Sequence, residues 1–501
     1  MSIKNAYYML NNNNNLPINP VNDSDTFGVL VVDVNEVPVT ESPIFILFTV
    51  DSTGSMSDYV SSNTTKMQYV IQTLKSIVKY LSTQPTEVYV QINTFNEVVD
   101  ELIPPIQVTP ETLKDITSKI NTIEADGTTN IEAALKSATS SIHKYSNMNP
   151  GHSCVHIFMT DGEPNSGAST STELLNHVSN EYLSINIGFG TDHNAKLLCE
   201  LSSNSNSEYH FIDRVENASI IYGESLHKVL YPGLNHVNIN IENGAIYDWN
   251  TNEWNESLYE NTLVGDVKKY YHIKTSTAEL MTISLTGNIL NKIDNNRITT
   301  LHLEETIEEI PDLIDVNGDI VTDHTIIKFA FRQCVLELLY KSIHTPINIK
   351  ELKEEIQCLF RKLRTFANDN ELIKDGIIKQ LMNDLYLAYW NVGNVYGDIY
   401  IYGRHTSQGN QLAHTPGNHY ISWKDVNLDM ETPPKPVLKR LYRHHDNIFN
   451  FNNMNTPLNL DLDLDLDTSV HGETDTEYSC YSTPGVRNTS SSIRTFDNES
   501  D

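Results

Sequence analysis

Two nearly unbroken apolar runs lie early in the chain, FGVLVVDV (27–34) and PIFILFTV (43–50). Runs of this length, without polar alternation, predict strands buried on both faces. From 43 to about 225, further runs of that kind alternate with segments of helical spacing. KMQYVIQTLKSIVKYL (66–81), PETLKDITSKINTI (110–123, with Pro110 near its start), IEAALKSATSSIHKY (131–145) and NAKLLCEL (194–201) read as helices. EVYVQINTF (87–95), CVHIFMT (154–160), LSINIGFG (183–190) and EYHFID (208–213) read as strands. Alternation of this order specifies an α/β domain, a mostly parallel sheet covered by helices on both faces.

The period changes near Pro232. NHVNINIENGAIYDW (235–249), DVKKYYHIKT (266–275) and AELMTISLTG (278–287) alternate polar and apolar residues, as antiparallel strands with one wet face do. The run at 27–34 has no helix partner and is expected to pair into this later sheet. Residues 323–391 are helical in pattern. The expected organisation is a disordered segment 1–25, a strand region 26–40, an α/β domain 41–228, a β-rich domain 229–305, a helical domain 306–400, and a low-complexity, acidic, disordered tail 401–501.

Composition narrows the partners. The formal charge is −31, and residues 461–501 hold only ten acids and two arginines, so the acidity is spread along the chain. Such a chain repels phosphates and anionic lipid, which argues against nucleic acid or membrane as main partner. The five cysteines are scattered without CxxC spacing, which indicates a reducing compartment and no zinc framework. The N-terminus has no signal-like apolar core and no run approaches a bilayer crossing. The expectation is a cytoplasmic or virion-associated protein.

The first buried run of the α/β region ends in FTVDSTGSM (48–56), which places Asp51, Thr53 and Ser55 at alternate positions on a strand-end loop. ADGTTNIEAAL (125–135) presents Thr128 and Thr129 just before a helix, and IFMTDGEPN (157–165) ends another buried strand in Asp161. Open α/β sheets bind ligands at the carboxyl ends of their strands. Two carboxylates and three hydroxyls suit a hard cation, Mg²⁺ first, with Mn²⁺ or Ca²⁺ as alternatives.

Competing readings are weaker. DSTGS alone is a strand-to-helix turn, but it does not stand alone. An aspartic protease motif needs Asp-Thr/Ser-Gly, and here two residues separate Asp51 from Gly54. The Gly-x-Ser-x-Gly elbow is absent around Ser55. DVNGDIVTD (315–323) has its glycine in the wrong place for a calcium loop. The acidic alternation at 461–467 reads as a solvated tail. Histidines 405, 414, 419, 444 and 445 are too loosely spaced for a metal cluster, and Cys334 and Cys358 read as core residues.

The three motifs together resemble the von Willebrand factor A (VWA) family and its metal-ion-dependent adhesion site (MIDAS), Asp-x-Ser-x-Ser followed by a Thr and an Asp. The match is Asp51, Thr53 and Ser55, then Thr129, which directly precedes Asn130, then Asp161. Thr53 in place of serine keeps the hydroxyl. The resemblance, over about 43–225, implies a Rossmann-like doubly wound sheet and a non-enzymatic, metal-dependent scaffold or adhesion function. Its ion would be completed by an Asp or Glu from a protein ligand, with Asp58, Glu163 and Thr128 at the rim. The order of domains also resembles A-domain proteins with a Vwaint-type region, and asparagine-rich examples occur in giant DNA viruses and protists. Neither a Hint pattern nor RING cysteines are present. An adaptor role in ubiquitin transfer and a metal-dependent hydrolase are the alternatives.

Overall fold

The computed structural model describes residues 3–9, 17–34, 42–61, 64–190, 193–204, 206–212, 218–265, 267–276, 281–290, 298–307, 323–344, 348–393 and 398–412. The calcium-loop-like segment before Asp323 and the acidic alternation at 461–467 lie outside the described residues.

Strands β1 (Ile3–Met9) and β2 (Asp25–Val34) precede the α/β domain, which begins with β3 (Ile44–Asp51). A short hairpin, β4 (Tyr59–Ser61) and β5 (Thr64–Thr65), leads into α1 (Lys66–Leu81). Then come β6 (Val88–Phe95), β7 (Val99–Gln107), α2 (Leu113–Ile120), α3 (Ile131–Met148) and β8 (Ser153–Thr160). The domain closes with α4 (Ser171–Leu175), β9 (Leu183–Phe189), α5 (Ala195–Leu201), β10 (Ser207–Ile212) and α6 (Ala218–Leu230).

Six of these strands form one sheet in the order β10-β9-β8-β3-β6-β7, parallel throughout except for β7 at the edge. β3 is buried at every position because both its faces are covered. Ile44, Ile46, Phe48 and Val50 pack with Met67, Val70 and Leu74 of α1 and Ile116 and Ile120 of α2. Phe45 and Leu47 pack instead with Ala138 and Ile142 of α3. The chain leaves β3 for β6 on one side and later returns to β8 on the other. The carboxyl end of β3 is therefore a topological switch point, the place where such sheets open a crevice.

Beyond α6 lie β11 (Pro232–Glu242), β12 (Gly244–Asp248), β13 (Glu253–Asn255), β14 (Ser257–Val264), β15 (Val267–Ser276), β16 (Met281–Leu290) and β17 (Ile298–Ile307). They make two antiparallel sheets, β1-β2-β15-β12-β13 and β14-β11-β16-β17. The single alternating run 235–249 is thus two strands in different sheets. Asn243, in the left-handed region at φ 58°, turns the chain between them. Four helices follow, α7 (Asp323–His344), α8 (Ile349–Asp369), α9 (Gly376–Asn391) and α10 (Asp398–Asn410).

β2 does pair into the later sheet, antiparallel to β15. Its apolar run has no polar face because the two sides belong to different cores. Leu30, Val32 and Val34 meet Leu234, Val237 and Ile239 between the sheets, while Phe27, Val29 and Val31 meet Ile326, Phe329 and Ala330 of α7.

Four expectations are corrected. Cys358 is exposed on α8 and is not a core residue. Residues 1–25 are not wholly unstructured, since Ile3–Met9 is a strand registered against Val34–Gly28. The helix expected at 110–123 begins only at Leu113, after a turn that contains Pro110. The tail does not start at 401, because α10 runs to Asn410 with Arg404, His405, Thr406, Ser407 and Gln408 buried. Arg404 donates to Asp384 Oδ1 at 2.6 Å and Gln408 donates to Asp384 Oδ2 at 2.7 Å. Any side chain at Gly409 would collide with the indole of Trp249, so α10 needs glycine there to seat. His405 is held by aromatic neighbours Trp249 and Tyr340, and burial pushes its imidazole down to about 3.

Removing one partner of a buried ion pair strands the other charge, at a typical cost of roughly 3–5 kcal/mol. Asp384→Ala should therefore lower stability by about that much in denaturant unfolding. The double variant Asp384→Leu with Arg404→Met should lose less than the single one.

Candidate metal centre

Three loops meet at the switch point. The loop after β3 carries Asp51, Thr53 and Ser55, and the segment Gly54–Ser57 forms a single 3₁₀ turn. The loop before α3 is fastened to it by Asp126 N–H to Ser52 O (2.8 Å) and Gly54 N–H to Gly127 O (3.1 Å). Gly127 sits at φ +82°, a conformation costly for other residues, and Asn130 caps α3 by accepting from Ala133 N–H. The loop after β8 carries Asp161, and its Asn165 side chain accepts from Thr129 N–H at 2.6 Å.

Asp51 and Asp161 are fully buried, and Thr53 and Thr129 nearly so. Ser55 Oγ donates to Asp161 Oδ1 at 2.8 Å and lies 3.1 Å from Thr53 Oγ1. Because the Ser55 proton points at Asp161, Thr53 is the donor in that second contact. Thr53 N–H donates to Asp51 Oδ1 at 2.9 Å. A methyl carbon built on Gly162 would sit 3.3 Å from Thr129 Oγ1 and 3.8 Å from Ser55 Oγ, so both hydroxyls overhang the glycine. The five residues singled out from the sequence are thus brought to one place.

The rim residues fare differently. Thr128 is exposed and its hydroxyl donates to Glu97 at 3.3 Å. Asp58 and Glu163 are exposed, and Asp58 reaches the site only through its backbone. Two contributors escaped the sequence reading. Thr160 Oγ1 donates to Asp51 Oδ2 at 2.6 Å, and Lys66 Nζ lies 2.7 Å from Asp161 Oδ2. Lys66 did carry a signal: a cation in the first turn opposes the helix dipole, so a lysine there needs a separate reason.

Among the described residues no group of three or more His, Cys, Asp or Glu side chains is placed to hold a metal. An ion at this site would depend on the hydroxyls. The donor set is all oxygen, with Thr53, Ser55 and Asp161 linked by hydrogen bonds, and fits a hard divalent cation.

This is the switch-point crevice of a doubly wound α/β domain. Residues 46–222 match the family profile described as von Willebrand factor type A domain, so this part of the chain is a VWA domain. The chain is 29% identical over 169 residues to an inter-alpha-trypsin inhibitor heavy chain of Homo sapiens, covering 31% of this chain and 12% of that protein. The chain therefore spans about an eighth of that relative. Two solved structures resemble the fold over more of the chain. The ArnB paralog VWA2 from Sulfolobus acidocaldarius has a TM-score of 0.51 at 16% identity, covering 82% of this chain and 98% of its own. A von Willebrand factor type A protein from Catenulispora acidiphila has a TM-score of 0.51 at 10% identity, covering 76% and 88%. At such identities the likeness concerns fold. No helix among the described residues is long and apolar enough to cross a membrane.

Burial, and next the charge of Asp161, push the Asp51 carboxyl from 3.8 up to about 6, against hydrogen bonds from Thr160 and Thr53. A folded-state value above the unfolded one means stability that is complete below about 3.8 and lost as pH rises through about 6. In EDTA, the stability of wild type relative to Asp51→Asn should fall by roughly 2–3 kcal/mol between pH 4 and pH 8. Denaturant unfolding of both proteins across that range measures it, and a flat difference contradicts the raised value.

Proposed function

We propose that this protein is a metal-dependent protein-binding scaffold rather than an enzyme. In this reading Asp51, Thr53, Ser55, Thr129 and Asp161 hold a Mg²⁺ ion, with Mn²⁺ or Ca²⁺ as substitutes, and a protein ligand supplies an Asp or Glu. The observation that carries it is the gathering of two buried carboxylates and three hydroxyls at the ends of β3 and β8, with the Thr129 and Ser55 hydroxyls above Gly162. The VWA match over 46–222 supports the same reading, since domains of this type characteristically bind protein ligands through a divalent ion.

A bound divalent cation supplies an electrophilic point that takes a carboxylate oxygen as its last ligand. The chain's own residues do the rest. Gly54, Gly127 and Thr128 are exposed and low in profile, so a side chain from another molecule can approach over them. The surrounding acids Asp58, Glu97 and Glu163 are exposed as well, in a chain of net charge −31. An acidic ligand is repelled by that field unless an ion reverses its sign locally, which makes recognition conditional on the cation.

Titration of Mg²⁺ or Mn²⁺ into wild type should raise Tm and restore capture of a partner lost in EDTA. Asp51→Ala should abolish both. An equal ion response in the two proteins rules out this site. Capture that persists in EDTA points to the helical region instead, as an adaptor role in ubiquitin transfer requires.

A further inference from the structure

The site contains a charge that an all-oxygen cation cage does not need. Lys66 is only 5% exposed and its ammonium lies 2.7 Å from Asp161 Oδ2. Its position is fixed from several directions. Lys66 is the first residue of α1, which is held by a reciprocal capping box between Thr65 and Gln68. Its N–H donates to Asp58 O at 2.9 Å. Its side chain runs beneath Gly190, where a Cβ would lie 3.6 Å from Lys66 Cε; Gly190 has φ +78°.

The two oxygens of Asp161 are divided between two tasks. Oδ1 accepts from Ser55 on the side of the hydroxyl cluster, and Oδ2 accepts from Lys66. An ion gathered by the hydroxyls uses the Oδ1 side, so the ammonium stays in place when the ion arrives. Lys66 then acts on the ion through charge alone.

We propose that Lys66 is a built-in counter-cation that weakens the site's hold on a lone metal ion and couples ion binding to the arrival of an anionic ligand. The proposal rests on the metal-site reading above. Two ionised carboxylates and one ammonium sum to −1, a divalent ion takes the cluster to +1, and a ligand carboxylate returns it to zero. Without the ammonium the same steps run from −2 to 0 to −1, so the ligand's charge is then unwelcome. In a partly buried cluster such differences are large enough to govern affinity. The coupling is reciprocal: whatever the ion adds to anion affinity, the anion adds to ion affinity.

The test uses the full chain and counts free Mn²⁺ by its aqueous EPR signal. Titrations run in sodium chloride and in sodium acetate of equal ionic strength, with protein-free controls for acetate complexation. Lys66→Met should bind Mn²⁺ at least about tenfold more tightly than wild type in chloride. Acetate should tighten Mn²⁺ binding by wild type and by Lys66→Arg, and should tighten it less or not at all in Lys66→Met. If Lys66→Met fails to fold, Lys66→Gln carries the same arm. Mn²⁺ binding by wild type that the neutral variants leave equal or weaker overturns the proposal while the metal site stands. Absence of Mn²⁺ binding in wild type, Lys66→Met and Asp51→Ala alike overturns the metal site and the proposal with it.

Discussion

The constraint on which this structure turns is the burial of two carboxylates, Asp51 and Asp161, at the ends of neighbouring strands β3 and β8. Like charges in a low-dielectric crevice repel, and each also loses its hydration. Everything nearby compensates. Thr160 and the Thr53 amide satisfy Asp51, and Ser55 and Lys66 satisfy Asp161. Gly162 leaves room for the hydroxyls, and the backbone bonds between the Ser52–Gly54 and Asp126–Gly127 segments stop the loops from separating to relieve the repulsion. The cost of gathering these carboxylates and hydroxyls is met by folding.

The remainder of the chain supports that cluster by a different device. The two antiparallel sheets and the helices share β2 as a common wall, and α10 brings the helices against α5 and β10 of the VWA domain. At this junction Phe211 meets Tyr400 edge-on at 5.5 Å. The site's sheet is thereby anchored at its β10 edge, on the far side from β7.

Much of this could be read from sequence, and the exceptions have physical causes. The strands of the parallel sheet announce themselves because double-sided burial demands unbroken apolar runs. β7 escaped because Pro104 and Pro105 interrupt its pattern, which an edge strand tolerates. α10 escaped because its buried face is polar: Arg404, His405 and Gln408 give no hydrophobic period, and only their partners make burial affordable. The split of 235–249 into two sheets hangs on one left-handed asparagine. In the site, motif spacing pointed to the five oxygens, since each sits at a strand or helix end. Lys66 and Thr160 act through neighbours distant in sequence, and no local spacing reveals such pairings.

The placement of β2 bears on how the chain comes to be folded. Its partner β15 is separated from it by the whole VWA domain. On a ribosome, β2 emerges before β15 and must wait, apolar on both sides, while the intervening domain is made and closes upon itself. Closing that distant pairing carries the loop entropy of everything between, which the prior compaction of the VWA domain sharply reduces. The β1–β2 hairpin gives the waiting strand one occupied edge during that interval. The VWA domain thus serves the rest of the chain as a folded spacer, and slow folding of that domain would leave the apolar β2 exposed to aggregation for longer.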